Sequence, residues 1–481
     1  MIKRLKRFLY LFHRWLGVVL CVWFALLFAS GIIMMYVEYP ELTEEERVWQ
    51  LEPLRLHDVR LTTAAVSEYS GGGAFSSLKL AMVLGRPAYQ YDVDGSLHTV
   101  FADNGEALTH LTPASALTAA SHSGFVTDPA AMVHEGLIEM DQWTVSSALH
   151  SSRPLHRVAL RDVTGTVLYV SDRNGQIVRD SNRNERFWNW LGSTIHWIYP
   201  WQFRQHAATW ELVLTYLSLA GVLSVFSGAV IGWWRMRVKA RYRNQSITPY
   251  QGWQKWHHLL GLGFLVFIST WIFSGLMSML PWHLFDNHTS ESEHTVRYYG
   301  GEIDRLDLFP GLDKLPVDHN TPLKEIEWRR LGDTRYLVLT YTASEKALVL
   351  PAEKSLPELI TQQVPMLHSE ATLTEQRGIE SYDSWYYSHH NRFRPLPALE
   401  VRFNDAENSW YHIDMRTGAV VQRLTSTDRW ARWLYNGLHS LDFALLFQYR
   451  PLWDITVIVL CLCGFAFSLT AVVIGWRRLI R

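Results

Sequence analysis

The chain carries the stretch FHRWLG at Phe12–Gly17 and repeats it in its second half as WHHLLG at Trp256–Gly261. In both copies a Ser-Gly pair follows the histidine at the same distance, first as Ser30-Gly31 and then as Ser274-Gly275. Each copy lies at the start of a long apolar run. The pattern predicts a chain built from two repeats, each opening with a histidine beside an apolar helix.

The repeat extends over most of the chain. Its matched positions include His13 with His257, Asp141-Gln142-Trp143 with Asp383-Ser384-Trp385, Trp190 with Trp433, His196 with His439, Trp210-Glu211 with Trp453-Asp454, and Ile231-Gly232-Trp233 with Ile474-Gly475-Trp476. Imidazole is a frequent axial ligand of haem iron, and bundle-core cofactor sites take their ligands from facing helices. Histidines kept at fixed places beside hydrophobic spans therefore predict haem held in a membrane bundle by one histidine from each half.

Four runs among the 481 residues are long and apolar enough to cross a bilayer, which takes roughly 20 residues. Two polar stretches between them are each long enough to form a domain with its own core. The predicted segments are a basic N-terminus 1–8, span one 9–37, outside domain one 38–184, an aromatic interfacial helix 185–207, span two 208–234, a basic loop 235–253, span three 254–281, outside domain two 282–427, a second aromatic interfacial helix 428–449, span four 450–476 and a tail 477–481.

Basic residues set the orientation, because positively charged short segments stay in the cytoplasm. They cluster before span one, between spans two and three, and after span four. Both termini are therefore predicted inside and both polar domains outside, as in a bacterial inner-membrane protein facing the periplasm. A cleaved signal peptide is the alternative for the first span. Its apolar region is too long, and its repeat partner begins at His257, where no signal peptide can be.

Each polar stretch ends in a β unit, VALRDVTGTVLYVSDRNGQIVRD in the first and LEVRFNDAENSWYHIDMRTGAVVQRL in the second, with apolar and polar residues alternating around glycine turns. An aromatic segment follows each unit, and tryptophan and tyrosine favour the membrane–water boundary. The predicted fold class is a membrane α-helical bundle of four transmembrane helices in two parallel repeats, with two periplasmic α+β domains.

The repeat places His13 with His257 near the inner surface and His196 with His439 near the outer surface. Two haems at different depths would form an electron relay across the bilayer. A single histidine at a membrane boundary is more often a solvated or hydrogen-bonded group, so the duplication carries this prediction. The alignment favours His257 over its neighbour His258 but leaves the choice open. The small-residue stripes of the second and fourth spans fit either a macrocycle or helix packing.

Further histidines and arginines cluster in the polar domains, where they could meet an anionic substrate, hold a metal or serve the structure. These candidates are His150, Arg153, His156, His389, His390 and Arg394. No C-x-x-C-H motif for covalent haem occurs, and no nucleophile–base motif, phosphate-binding glycine loop or nicotinamide fingerprint is present.

Several segments together resemble the PepSY-associated transmembrane proteins, a family that includes iron-regulated membrane proteins and inner-membrane ferric-siderophore reductases. These segments are FHRWLG, DQWTVSSALHSSRPLHRVAL, GTVLYVSDRNGQIVRD, ERFWNWLGSTIHW and VIGWWR. The resemblance implies a four-helix membrane core with PepSY-type domains in the periplasm and, in the reductase members, b-type haems. The family's histidines map onto His13, His257, His196 and, with Tyr435-Asn436 replacing Gly192-Ser193, onto His439.

The leading functional prediction is a haem-dependent transmembrane oxidoreductase with two haems b. It would take electrons from a cytoplasmic reductase or membrane quinol and reduce ferric iron in a periplasmic siderophore, with the lipid bilayer and no nucleic acid as its other partner. The alternative is a non-enzymatic PepSY sensor or modulator that binds a peptide, a peptidase or a receptor. A transporter of iron or its chelate ranks last, because four spans are few for that function.

Overall fold

The computed structural model describes residues 2–69, 74–93, 95–239, 241–242, 245–283, 291–315, 321–351, 354–388, 393–447 and 449–480. The chain divides into two compact units. The helical unit comprises Met1–Tyr39, Phe187–Asp286 and Thr427–Arg481, and the sheet unit comprises Pro40–Arg186 and Asn287–Ser426.

The helices follow the chain in this order: α1 (Ile2–Met34), α2 (Glu44–Gln50), α3 (Thr63–Tyr69), α4 (Pro113–Ser121), α5 (Arg183–Asn189), α6 (Trp201–Arg204), α7 (Ala207–Arg235), α8 (Gly252–Gly263), α9 (Leu265–Met277), α10 (Glu291–Tyr299), α11 (Leu356–Gln363), α12 (Ser426–Arg432), α13 (Ala444–Phe447) and α14 (Arg450–Leu479). Two π-helical segments, Trp190–Thr194 and Trp433–Ser440, continue α5 and α12.

The strands are β1 (Ser77–Val83), β2 (Arg86–Val93), β3 (Ser96–Phe101), β4 (Ala107–Leu108), β5 (Val133–Ile138), β6 (Leu155–Ala159), β7 (Val167–Ser171), β8 (Ile177–Ser181), β9 (Glu325–Leu331), β10 (Thr334–Thr340), β11 (Lys346–Val349), β12 (Leu373–Ile379), β13 (Ala398–Phe403), β14 (Trp410–Asp414) and β15 (Val420–Leu424). They form one seven-stranded and two four-stranded sheets.

Three helices of the helical unit, α1, α7 and α14, are each long and apolar enough to cross a membrane, and α8 with α9 makes a fourth if that pair counts as one span. Their shared core is rich in large apolar side chains, which pack against one another. It includes Leu20, Phe24, Phe28, Ile268, Trp271, Ile272, Val457 and Cys461.

The third span differs from the single helix predicted over 254–281, because α8 and α9 are bent by 73° with respect to each other. The break falls at Phe264, whose φ of −104° and ψ of 15° leave the helical region. Gly261 and Gly263 precede it, and glycine weakens a helix by adding backbone freedom. The first copy has Val19 where the second has Gly263, and its helix α1 continues unbroken.

In the sheet unit, both polar stretches contribute strands to one seven-stranded sheet, a connection that the sequence did not predict. Its order is β11-β10-β9-β1-β2-β3-β4, so the strands of the first stretch continue into those of the second. At the junction β1 and β9 pair antiparallel, with Leu80 opposite Ile326. An unpaired edge strand exposes its backbone groups. The pairing of β1 with β9 hydrogen-bonds the edge backbone groups of both strands.

Each polar stretch also forms its own four-stranded antiparallel sheet, β5-β6-β7-β8 in the first and β12-β13-β14-β15 in the second. These are the β units that the alternating sequence predicts. The turn between β7 and β8 contains Gly175 at φ 69°, and the turn between β14 and β15 contains Gly418 at φ 74°. Both positions need the left-handed backbone conformation that glycine adopts without strain.

A carboxyl group on β8 gives the sheet unit a pH-dependent stability. Burial, together with the nearby charges of Glu46 and Glu185, raises the pKa of Asp180 to about 7. The folded state then holds this proton more tightly than the unfolded state, so stability falls as the pH rises from about 4 through 7. We expect Asp180→Asn to stabilise this region by about 1–2 kcal/mol at pH 8, after discounting for partial exposure, and to change little at pH 4.

Hydrogen–deuterium exchange of β7 and β8 at the two pH values measures this effect. Asp162→Asn is the control, because the pKa of Asp162 is shifted in the opposite direction to that of Asp180. Burial would raise the pKa of Asp162, but hydrogen bonds from Thr164 and Thr166 outweigh it and lower that pKa. Equal exchange of wild type and Asp180→Asn at pH 8 would contradict the prediction.

Candidate functional site

The first repeated histidine pair meets inside the helical unit. The imidazole rings of His13 on α1 and His257 on α8 have centres 6.4 Å apart, with an angle of 39° between their planes. Nδ1 of His13 lies 3.0 Å from the carbonyl oxygen of Ser224 and 3.3 Å from Oγ of Ser227. Nδ1 of His257 lies 3.0 Å from Oγ1 of Thr470. Residues far apart in the sequence thus form one two-histidine cluster, the inner pair.

The second repeated pair has the same construction. The rings of His196 and His439 have centres 6.1 Å apart, with 80° between their planes. Nδ1 of His196 lies 3.0 Å from Oγ of Ser30, and Nδ1 of His439 lies 2.9 Å from Oγ of Ser274. The serines of the two repeated Ser-Gly pairs therefore each orient one histidine of this cluster, the outer pair.

Helix ends and turns position the outer pair. His196 lies two residues after one π-helical segment, and His439 lies within the other. The turn behind each is held by a repeat-related tryptophan. The indole Nε1 of Trp210 donates to the carbonyl of Trp197, and that of Trp453 donates to the carbonyl of Ser440. π-Helical turns are rare in proteins, and many of those that do occur lie at functional sites.

The hydrogen-bond network assigns the tautomer of all four histidines. The carbonyl of Ser224 can only accept, so His13 donates from Nδ1. The hydroxyls of Ser30, Ser274 and Thr470 each already donate to a backbone carbonyl of their own helix. Because a hydroxyl has one proton, each must accept from the imidazole it faces. Nδ1 carries the proton in every case, and the lone pair lies on Nε2, to which no described residue is hydrogen-bonded.

His258 has the opposite arrangement. Its Nε2 lies 2.9 Å from the carbonyl oxygen of Gly232, and its Nδ1 lies 2.8 Å from Oγ1 of Thr248. The carbonyl requires Nε2 to donate, so Nδ1 accepts from the threonine hydroxyl. Both nitrogens hold α8 in place, one through the backbone of Gly232 and the other through the side chain of Thr248. Of the two adjacent histidines, only His257 has a free lone pair.

The spacing within each pair fits one shared metal ion. Imidazole nitrogen binds such ions at about 2 Å, so two imidazoles on opposite sides of one ion place their ring centres about 6 Å apart. In the described part of the chain, no three His, Cys, Asp or Glu side chains form a metal-binding group. Two imidazoles alone leave most coordination positions open, and a macrocycle with four nitrogens fills them. The donor set therefore fits haem.

Glycines lie beside the histidine rings and let them approach the backbone. A Cβ on Gly228 would lie only 2.6 Å from Cε1 of His13, whereas one on Gly31 would lie 3.7 Å from Cε1 of His196. Other glycines of the stripes receive packed side chains instead, as Gly464 receives the ring of Phe28. The stripe glycines thus receive side chains of neighbouring helices, with Gly228 beside His13 of the inner pair, and their approach to a macrocycle stays a prediction.

We expect Gly228→Ala to displace the His13 ring, because 2.6 Å is far inside van der Waals contact and the ring is held in place by Ser224. The variant should lose most of the ligand of the inner pair and keep that of the outer pair. Gly31→Ala is the matched control, since 3.7 Å is an ordinary contact. Haem content per chain measures both, and full content in Gly228→Ala would contradict the prediction.

The two pairs lie at opposite ends of the bundle. Helix α1 contributes His13 near its beginning and Ser30, the partner of His196, near its end. At 1.5 Å per residue these positions are about 25 Å apart along the helix axis, comparable with the roughly 30 Å thickness of the bilayer core. The bundle thus holds one histidine pair toward each of its ends.

Comparison with known families agrees with this architecture. The family described as PepSY-associated TM region matches residues 10–478. The chain belongs to this family. No match was found among curated proteins. Family membership makes this PepSY-associated protein a membrane protein, which agrees with its candidate membrane helices.

The predicted substrate-contact residues of the PepSY-associated protein lie in different environments of the sheet unit. Arg153 is buried and donates to the carbonyls of Thr144 and Ser146, and Arg394 donates to the carbonyl of Val421. These bonds give both arginines structural partners.

His150 is exposed on a 3₁₀ turn, so its contact with a substrate stays a prediction. His389 and His390 lie outside the described residues. His156 is only 2% exposed, and its Nε2 lies 3.0 Å from Oδ1 of Asp172. The burial and this partner favour a structural role for His156.

Asp172 and His156 belong to a cluster with two more histidines, an arrangement that the sequence did not reveal. Its Oδ2 lies 2.6 Å from Nδ1 of His110, and His156 in turn lies 2.9 Å from Nε2 of His134. Burial would raise the pKa of Asp172, but hydrogen bonds from His110 and His156 outweigh it and lower that pKa. The cluster connects β5, β6 and the end of β7, which are separate in the sequence.

The sequence also missed Ser227 and Thr470, the hydroxyl residues beside the inner pair. They occupy matching positions of the two repeats, one on α7 and one on α14. The signal that could have found them is the repeat itself, since a hydroxyl side chain recurs there within an apolar span.

Proposed function

We propose that this protein is a b-type haem protein that carries electrons across the membrane and reduces ferric iron in a periplasmic siderophore chelate. The observation that supports it is the meeting of four repeat-related histidines as two pairs, with ring centres 6.4 Å and 6.1 Å apart and Nδ1 of every ring hydrogen-bonded. His13 and His257 would hold one haem and His196 and His439 the other.

Haem iron supplies reversible one-electron chemistry at such sites. The chain's own residues supply orientation. Ser224, Ser30, Ser274 and Thr470 hold the imidazoles in the tautomer that presents Nε2, and such outer hydrogen bonds fix ring direction and raise ligand basicity. The apolar core around Phe24, Phe28 and Ile268 excludes water between the two ends of the bundle. No proton-transferring side chain is needed for this reaction.

The proposed reaction moves one electron per iron. An electron from a cytoplasmic reductase or a membrane quinol reaches the acceptor outside, where Fe(III) in the chelate becomes Fe(II). Ferrous iron binds such chelators weakly, so it is released without cleavage of the organic ligand. The positive-inside pattern of basic residues supports an orientation with the inner pair toward the cytoplasm. Under this proposal the acceptor meets the protein on the opposite side.

Reconstituted vesicles test the proposal. The protein is placed in liposomes with a reductant on the side of the basic loops and a membrane-impermeant ferric siderophore on the other side. We expect formation of ferrous iron, trapped by a ferrous-specific chelator, at a rate that rises with protein content. The double variant His13→Ala/His196→Ala is the control and should reduce no iron. Loaded wild-type protein that leaves the ferric siderophore intact would overturn the proposed acceptor.

A further inference from the structure

Aromatic rings fill much of the bundle between the two histidine pairs, and one of them contacts the outer pair directly. The indole ring of Trp271 on α9 has its centre 6.0 Å from that of His439, with 34° between the planes. We propose that Trp271 completes a one-sided aromatic path that couples the inner pair to the outer pair for electron transfer. This inference rests on the proposed haem function.

The path has ring contacts at its two ends, joined by one step along helix α14. At its inner end His257 stacks on Phe467, with ring centres 4.7 Å apart and planes within 14°. One helical turn along α14, the ring of Phe28 lies so close to Gly464 that a Cβ there would be 2.5 Å from it. Phe28 then stacks on Trp271 at 5.9 Å, with 25° between the planes. The last step is the contact of Trp271 with His439.

Comparison of the two repeats indicates that only the second-half histidines, His257 and His439, are joined by this path. The first-half counterpart of Trp271 is Leu27, the second-half counterpart of Phe28 is Ile272, and the counterpart of Phe467 beside His13 is Ser224. His439 and His257 therefore each have one of these ring contacts. The matching residues of the first half offer no such ring to His196 and His13. These ring contacts, joined through one turn of α14, shorten the gaps that an electron must cross between the ends of the bundle.

The environment of Trp271 fits a role as a conducting contact. Its side chain is 9% exposed, and its Nε1 is buried with no hydrogen-bond partner among the described residues. Phe267 packs edge-on against it at 4.3 Å. The indole is thus held by packing in the apolar core, and among the described residues its Nε1 orients no ligand through a hydrogen bond. The tryptophan is neither oxidised nor reduced in the net step, which moves one electron from the inner site to the outer site.

Trp271→Leu and Trp271→Phe test the inference in full-length protein reconstituted in vesicles. Ferricyanide, a membrane-impermeant one-electron acceptor, is enclosed on the side of the outer pair, and the reductant is added on the other side. We expect transmembrane electron flow to fall several-fold in Trp271→Leu and to stay close to wild type in Trp271→Phe. Haem content, optical spectra and midpoint potentials of both sites should remain unchanged in both variants.

Trp23→Leu is the matched control. Trp23 belongs to the same core, and its Nε1 is likewise buried without a partner among the described residues, but its ring contacts Phe24 and neither histidine pair. It should leave electron flow unchanged. Wild-type flow in a fully loaded Trp271→Leu would overturn the inference. Loss of the outer haem in Trp271→Phe would also overturn it, by making Trp271 a structural support. Wild-type protein without haem would instead refute the proposed function.

Discussion

Alanine in place of His257 is expected to remove one haem from the protein and to leave the other bound. The ring of His257 faces His13 with its lone pair on Nε2, so its loss leaves the inner site with a single protein ligand. His439→Ala should do the same to the outer site, where only His196 would remain. Haem per chain, measured as the pyridine haemochrome, is expected to fall by half in each variant and to near zero in the double variant.

The neighbour of His257 offers a matched control within the same helix turn. Both nitrogens of His258 are hydrogen-bonded, to Thr248 and to the carbonyl of Gly232, so His258→Ala should keep both haems. It loosens one structural contact of α8 and so lowers thermal stability. Retention of both haems in His257→Ala, or their loss in His258→Ala alone, would contradict the assignment of ligands.

A buried ion pair joins the two halves of the sheet unit at the β1–β9 junction. Arg47 on α2 lies 2.9 Å from Glu325 on β9, a carboxylate only 3% exposed, and Lys79 on β1 lies 3.5 Å from the same group. Burial would raise the pKa of Glu325, but the charges of Lys79 and Arg47 outweigh it and hold that pKa at about 2. Removing one partner of a buried ion pair costs about 3–5 kcal/mol when the remaining charge has no other partner. Lys79 stays beside Glu325, so the loss of Arg47 costs less than that.

Arg47→Met is therefore expected to destabilise the β1–β9 junction by about 2–3 kcal/mol near neutral pH, because Lys79 still compensates part of the charge of Glu325. A lowered carboxyl pKa stabilises the fold above the ordinary carboxyl range and loses this effect as the pH falls toward 2. The difference from wild type should shrink at low pH accordingly. Hydrogen–deuterium exchange of β1 and β9 measures the change in the full-length protein.

Arg161→Met is the control for this prediction, since Arg161 pairs with Glu135 at 3.2 Å on the surface with 58% of its side chain exposed. An exposed pair of this kind contributes well under about 1 kcal/mol. Equal protection of β1 and β9 in Arg47→Met and in Arg161→Met would show that the ion pair does not stabilise the junction.

The repeat in the sequence indicated which histidines would lie together, because equivalent residues of two related halves can meet in pairs; their binding of haem stays a prediction. It led to His13 with His257 and His196 with His439, and the structure places each pair about 6 Å apart. It also singled out Ser30 and Ser274 by position, although their role toward the outer histidines needed the structure. Family membership was predicted from the motifs and is confirmed.

The features that the sequence missed depend on contacts between distant segments. Pairing of β1 with β9 joins strands from different polar stretches, and no local pattern specifies which edges will meet. The bend at Phe264 depends on two nearby glycines, whose effect within an apolar span is decided by packing against α7 and α14. The hydroxyls of Ser227 and Thr470 looked like ordinary small residues in membrane helices, where serine and threonine are common.

The proposed function depends most directly on whether the purified protein contains haem at both histidine pairs. A reduced-minus-oxidised optical spectrum of the detergent-purified protein from haem-replete cells, with haem quantified per chain, measures this. We predict the absorption bands of b-type haem and two haems per chain. A colourless protein would contradict the electron-transfer proposal and favour a membrane sensor or modulator whose histidines serve the structure.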